Sequence, residues 1–179
     1  MGVAEATAPK HEADDMIAAY VEDAVAQGAR ATIVSADKDL MQLVRPGVLQ
    51  INPVSDAWFT ESGVEKKFGV PPQRVGDFLA LAGDAGDGVP GAPGIGPKTA
   101  VKLLNEFGDL ATLLARCEEI ERKSWRKIIS ENKAQIRLSR MLVALDAAGA
   151  PRPLGADDMR APTHGINASA HSWRERDLV

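Results

Sequence analysis

The residues best suited to chemistry lie in three short acidic clusters: Glu12-Ala-Asp14-Asp15, Asp37-Lys-Asp39 and Gly83-Asp84-Ala-Gly-Asp87. Carboxylates drawn together from three separated stretches repel one another unless divalent cations neutralise them. Directly after the third cluster runs Val89-Pro-Gly-Ala-Pro-Gly-Ile-Gly-Pro-Lys-Thr-Ala100. A glycine-rich turn that opens a helix offers backbone N–H groups to a phosphate. Metal-binding carboxylates beside a phosphate cradle point to phosphodiester hydrolysis, in which cations activate a water and stabilise the leaving oxygen.

Each cluster alone also has a plainer reading. Glu12 and Asp15 share a face of one helical turn, and acids at a helix N-terminus are favoured by the dipole. Asp37, Asp39, Asp84 and Asp87 are residue types that cap many helices. The three clusters together are more specific, because Asp37 and Asp39 follow the β-branched run Ala31-Thr-Ile-Val-Ser35. That run reads as a buried parallel strand, and functional residues of such sheets gather at the carboxyl ends of strands. The segment Gly94-Ile-Gly-Pro-Lys98-Thr99 matches neither a Walker loop nor a dinucleotide fingerprint. Its glycines permit close backbone approach, and Lys98 and Thr99 add side-chain donors, which suits a clamp on the DNA backbone that reads phosphates rather than bases.

The elements that must position these residues follow from periodicity and punctuation. Apolar residues at helical spacing predict a helix over 12–27 with Gly28 as its stop. A short helix over 39–44, a strand over 48–52 and a helix over 60–68 closed by Gly69 come next. Pro71-Pro72 then opens a helix that ends at Gly83. After Asp87 the glycine- and proline-rich run predicts a multi-turn connection, then helices over 98–107, 110–120 and 124–145. In the last of these, Trp125, Ile128, Ile129, Ile136, Leu138, Met141 and Leu142 are the candidate buried positions. The fold class is therefore α/β: a partial parallel-sheet domain over 11–87, an all-α DNA-binding module over 88–145, and a poorly packed tail over 146–179. Residues 1–10 read as a frayed start, and His164 and His171 as solvent-exposed residues without metal-ligand spacing.

Charge divides along the same boundary. Residues 1–92 hold 14 acids against 7 bases, whereas residues 93–145 hold 10 bases against 6 acids. An acidic part that attracts metal joined to a basic part that attracts phosphate fits a phosphodiester-processing protein. The alternative for the basic run Arg122 to Arg140 is the solvated face of a helix. The single cysteine, Cys117, forms no internal disulfide and reads as a helix residue without chemistry. With no apolar run of membrane-spanning length and no basic-then-apolar leader, the expected compartment is the cytoplasm and no membrane partner is expected.

In order and spacing, Glu12-Ala-Asp14-Asp15, Ser35-Ala-Asp37-Lys-Asp39-Leu-Met-Gln-Leu-Val44, Phe68-Gly-Val-Pro-Pro72, Gly83-Asp84-x-x-Asp87 and Val89-Pro-Gly-x-Pro-Gly-Ile-Gly-x-Lys-Thr-Ala100 resemble the flap-endonuclease family. The resemblance is to the 5′→3′ exonuclease domain of bacterial DNA polymerase I and covers residues 11–145. It implies a PIN/flap-nuclease-like fold and a Mg²⁺- or Mn²⁺-dependent nuclease acting on 5′ ends and 5′ flaps of double-stranded DNA. It also implies a helix–three-turn–helix element, with a K⁺ site, that grips the duplex backbone. Glu12, Asp14, Asp15, Asp37, Asp39, Asp84 and Asp87 match the family's metal site, with Asp37, Asp39 and Asp87 the best-placed catalytic ligands. Gly91, Gly94, Ile95, Gly96, Lys98 and Thr99 match its DNA-binding turn.

The departures shape the expectation. In the family, two Asp-bearing strands and a cationic helical arch precede the Glu-Ala-Asp-Asp helix, and here about ten residues do. Gly88 stands where the family has Asn. The chain thus reads as N-terminally truncated, with activity impaired when it stands alone. The alternatives are a non-catalytic duplex-DNA-binding remnant, or one piece of a split nuclease whose partner chain supplies the missing strands.

Overall fold

A computed structural model describes residues 4–155 and 157–159. His164 and His171 lie outside the described residues. The first helix, α1 (Ala13–Ala26), opens behind Glu12 with Asp14 and Asp15 in its first turn, where the helix dipole favours negative charge. It closes at Gln27, and Gly28 follows at φ +74° to turn the chain toward the sheet. The strands are β1 (Ala31–Val34), β2 (Val48–Asn52) and β3 (Ala57–Phe59), in spatial order β1-β2-β3. β1 pairs in parallel with β2 from Ala31 opposite Val48 to Val34 opposite Ile51, and β3 returns antiparallel to β2. A 3-10 turn over Asp39–Leu43 lies in the crossover between the parallel strands.

The expectation of a buried β1 needs correction. Among the described residues β1 pairs on one side only, and it buries only Ile33; Thr32 and Val34 point to solvent, with Val34 64% exposed. The central position belongs to β2, where Val48, Gln50 and Ile51 are buried.

Helices α2 (Glu61–Phe68), α3 (Val75–Ala82), α4 (Pro97–Phe107), α5 (Leu110–Ala115), α6 (Lys123–Glu131) and α7 (Lys133–Leu142) complete the fold. Every residue of α3 from Val75 to Leu81 is buried, as befits a helix apolar almost all round. It packs against α4 and α7, so one hydrophobic core runs from Met41 through Leu79, Leu103 and Leu113 to Val143, across residues 87 and 88. A smaller core of Ala18, Val21, Ile33, Leu40, Leu43 and Val48 seals α1 against the sheet.

The helix expected over 124–145 is two helices. At Asn132 the backbone amide and the side-chain amide both donate to the Ile128 carbonyl, at 3.1 and 2.8 Å. A side chain that takes over a helical acceptor ends the ladder there. The break re-phases the following helix, so that Ile136 and Ser139 face inward while Leu138, Met141 and Leu142 are exposed. The helix expected over 110–120 likewise stops at Ala115, and buried Cys117 sits in a 3-10 turn. Residues 146–155 pack better than their composition suggests. Ala150 is buried, Arg152 donates to Asp23 at 2.6 Å, and the Leu154 amide donates to the Tyr20 hydroxyl at 3.0 Å, all against α1.

Asp77 ties the helical part together from inside. Its carboxylate accepts the Leu110 amide at the start of α5 (3.1 Å) and the Arg140 guanidinium of α7 (2.9 Å). Removing it strands a partly buried cation and a buried amide. Asp77→Ala is expected to lower unfolding free energy by about 3 kcal/mol, read from the urea midpoint; a loss below about 1 kcal/mol would show that packing alone holds α3, α5 and α7 together.

Candidate metal centre and nucleic-acid interface

The centre begins with a buried amide. Gln50 of β2, wholly buried, donates its side-chain N–H groups to the carbonyls of Ser35 (2.9 Å) and Asp37 (2.6 Å). The turn after β1 is thereby held at the carboxyl end of the sheet. Within it the Asp37 carboxylate accepts the Asp39 amide at 2.9 Å, a local Asx turn that sets Asp39 at the start of the 3-10 turn.

The second arm is the loop after α3. Asp84 and Val89 exchange two backbone hydrogen bonds at 2.8 Å, and the Asp84 carboxylate accepts the Gly86 amide at 3.0 Å. This closed loop presents Asp84 and Asp87 on one side. Its base allows no side chains: a Cβ on Gly91 (φ +63°) would lie 2.4 Å from the Gly83 amide nitrogen, so two backbones touch there. Helix α7 then fastens the loop, with Ser139 accepting from the Gly91 amide (3.1 Å) and Gln135 donating to its carbonyl (2.7 Å).

The two arms bring Asp39, Asp84 and Asp87 together, with one carboxylate oxygen from each within 4.8 Å of the others. Lys38 bridges the pair opposite Asp39: its ammonium lies 2.8 Å from Asp87 and touches Asp84. Burial opposes the charge on Lys38, but its hydrogen bonds to Asp84 and Asp87 outweigh this and hold its pKa above the ordinary lysine range. The same ammonium and the Gly86 amide keep Asp84 below the usual carboxylate range. Asp39 goes the other way. Burial and the charges of Asp37, Asp87 and Asp84, only partly offset by Lys38, push it up to about 6.

The remaining acids are arranged around this trio. Burial, and then the charges of Asp37, Glu12 and Asp15, raise the pKa of Asp14. Glu12 is exposed at the start of α1. Asp15 turns toward the chain's later part, where its carboxylate accepts the Asp146 amide at 2.7 Å. Asp39 Oδ1 is buried without a hydrogen-bond partner. An orphaned carboxylate oxygen, in an all-oxygen donor set whose charges repel, fits a hard divalent cation.

The candidate DNA turn separates into two sets. Gly91 and Ile95 are buried; the Gly91 amide is already donated to Ser139, and Ile95 fills the core. They shape the turn from beneath. Gly94 (φ +79°), Gly96 and Lys98 are exposed and Thr99 is half-buried, at the N-terminus of the eleven-residue α4. Lys102, one turn beyond Lys98, lies over the Trp125 ring at 5.4 Å, and Arg122 lies over the same ring at 4.7 Å. Of the basic run on α6 and α7, Arg126 is spent on the Ile120 carbonyl and Arg140 on Asp77.

Sequence reasoning missed Lys38, Gln50, Gln135 and Ser139. A glutamine inside the apolar strand Val48-Leu-Gln-Ile-Asn52 is a visible signal, since a buried amide needs partners. Lys38 stood between two named acids. Nothing local marks Gln135 or Ser139.

Comparison with known proteins agrees with this geometry. The family described as 5′-3′ exonuclease, N-terminal resolvase-like domain, matches residues 1–69, and that described as 5′-3′ exonuclease, C-terminal SAM fold, matches residues 70–164. The chain belongs to the 5′-3′ exonuclease family. It is 52% identical over 134 residues to DNA polymerase I of Rhizobium leguminosarum, covering 75% of this chain and 13% of that protein. It is 37% identical over 170 residues to a 5′-3′ exonuclease of Aquifex aeolicus, covering 95% and 57%. With flap endonuclease Xni of Aeromonas hydrophila it shares 40% over 134 residues, covering 75% and 50%. The chain thus spans about half the length of the two nuclease relatives and a small part of the polymerase. The fold matches that of a T5 5′-exonuclease structure with bound zinc (TM-score 0.68, 22% identity, 75% of this chain and 50% of that one). A mutant of the same T5 enzyme gives a TM-score of 0.66 at 22% identity, with 76% and 55% covered.

The raised pKa of Asp39 sets the sign of a pH effect. Its folded value exceeds its ordinary value of 3.8, so the metal-free fold is favoured at low pH and loses that contribution as pH rises through about 6. Asp39→Asn should therefore melt higher than wild type in EDTA at neutral pH, with the gap closing at pH 4, and should lose the rise in melting temperature that Mn²⁺ gives the wild type. A variant that melts lower than wild type in EDTA at neutral pH would refute the repulsive cluster.

Proposed function

We propose that the chain is the metal-binding and duplex-gripping part of a divalent-metal-dependent 5′→3′ exonuclease and 5′-flap endonuclease acting on DNA. The observation that carries this reading is the meeting of Asp39, Asp84 and Asp87 around a buried, unpartnered carboxylate oxygen. Asp37 takes part through the Asp39 amide, which its carboxylate holds, and through its charge beside Asp14. Mg²⁺ or Mn²⁺, when bound to these carboxylates, supplies stabilisation of the charge that builds on a phosphodiester during hydrolysis. The residues themselves keep the ligand oxygens preorganised: Gln50 fixes one arm, and the Asp84–Val89 ladder fixes the other.

Gly94, Gly96, Lys98 and Thr99 at the start of α4 would hold the duplex by its phosphates, since the helix N-terminus and the lysine both favour anions. This grip carries no base specificity. A K⁺ ion at the same turn belongs to the proposal, as do Glu12 and Asp15 as outer members of the acidic site. The connection of Gly91 to Ser139 and Gln135 on one side and to Gly83 on the other would couple grip to centre.

A second reading also has an observation in its favour. The outer edge of β1 pairs with no strand among the described residues. An apolar groove of about 390 Å³, lined by Ile17, Tyr20, Val21, Ile33, Val34 and Leu154, runs alongside it. A bare edge beside an apolar groove suits a strand from elsewhere, which supports a nuclease completed by further polypeptide, whether upstream sequence or a partner chain.

Cleavage of a 5′-flap duplex in Mg²⁺ is expected to fall by at least about a hundredfold in Asp37→Ala, and activity that survives this change would rule out the site assignment. Lys98→Ala should weaken binding of plain duplex about threefold to tenfold, with a shallower dependence on salt concentration than the wild type. An unchanged salt slope would remove Lys98 from the interface.

A further inference from the structure

We propose that Lys38 is a resident counter-cation of the acidic centre: its ammonium joins Asp84 to Asp87 while no divalent ion is bound and is released when one enters, so that metal loading is an exchange of cations. This rests on the reading of the three carboxylates as a metal centre and adds a positioning role for a residue that reading leaves unassigned.

The contacts say which group must move. One Asp84 oxygen is committed to the Gly86 amide, and the other touches the Lys38 ammonium. Asp87 meets the same ammonium at 2.8 Å. The Gly86 contact ties the Asp84 carboxylate to its own loop, whose backbone the Asp84–Val89 ladder closes separately. On the opposite arm, Gln50 holds the carbonyls of Ser35 and Asp37, and Asp37 holds the Asp39 amide, so the backbone around Lys38 is fixed. The four-carbon stem of Lys38 is compliant, and its side chain is 36% exposed. Rotation about its own bonds moves the ammonium into water without any backbone change. An ammonium against oxygens that also ligate a divalent cation is repelled by that cation at short range. While it stays, it keeps Asp84 and Asp87 from pushing apart, so the ligands remain gathered before metal arrives.

Calorimetric titration of Mn²⁺ alone into the full chain tests the exchange. Lys38→Met is expected to bind Mn²⁺ about fivefold more tightly than wild type, because nothing has to leave, and to melt lower than wild type in EDTA. Lys38→Arg, which keeps the bridge, should bind Mn²⁺ no more tightly than wild type. A second measurement needs no variant: amine-selective acylation of the wild type, read by mass spectrometry, should modify Lys38 several-fold faster in saturating Mn²⁺ than in EDTA, with Lys98 unchanged. Equal or weaker Mn²⁺ binding by a folded Lys38→Met, or acylation of Lys38 indifferent to Mn²⁺, overturns the exchange and leaves the metal centre standing. If Lys38→Met does not fold in EDTA, the acylation result alone decides. A wild type that takes up no Mn²⁺ overturns the metal centre itself.

Discussion

The fold around the centre is organised by mutual repulsion among carboxylates that the backbone does not allow to separate. One carboxylate oxygen from each of Asp39, Asp84 and Asp87 lies within 4.8 Å of the others, and the charges of Asp14 and Asp37 oppose one another beside them. Left to themselves these groups would spread, since each like charge at such range disfavours ionisation of the next. They are kept in place by the Lys38 ammonium between Asp84 and Asp87 and by neutral devices: the Gln50 amide, the Asx turn at Asp37, the two-bond ladder at Asp84 and Val89, and the contact of Gly83 with Gly91. Repulsion of this kind is relieved by positive charge, as by the Lys38 ammonium between Asp84 and Asp87.

The same devices explain why acidic and basic parts act as one body. The loop that carries Asp84 and Asp87 leaves α3, and α3 is locked to α5 and α7 through Asp77. Helix α7 in turn holds Gly91, the first glycine of the turn that leads to α4. From the acidic loop to the turn before α4 runs a chain of contacts: the backbone approach of Gly83 to Gly91 and the bonds of Gly91 to Ser139 and Gln135. Positions of this sort tolerate little displacement, because packed interiors shift between discrete arrangements rather than deforming smoothly.

Much of this was legible in the sequence. The periodicity of α1, the β-branched run of β1, Pro72 before α3 and Gly69 after α2 all announced themselves through local chemistry. Where local chemistry was silent, the reading went astray. β3 is three residues, Ala57-Trp-Phe59, too short for any alternation to show. The division of the last helix depends on one asparagine side chain reaching the Ile128 carbonyl, within a stretch whose amphipathic pattern is continuous. The convergence of Asp39 with Asp84 and Asp87 was visible only through ordered motifs, since no spacing along the chain implies it. Gly91 and Ile95 sat within a phosphate-binding pattern, yet they serve as packing beneath it. A glycine demanded by backbone contact and one demanded by a ligand have the same letter. The inward turn of Asp15 toward Asp146 joins positions 131 residues apart, which no local rule anticipates.

The outer edge of β1 has a practical consequence. Its four residues, Ala31-Thr-Ile-Val34, include no charge and no proline, the usual guards against unwanted pairing. Two copies meeting at this margin could extend a common ribbon from one molecule into the next, and nothing in the composition of the strand opposes it. Keeping the isolated polypeptide dispersed therefore calls for a cover over those four residues.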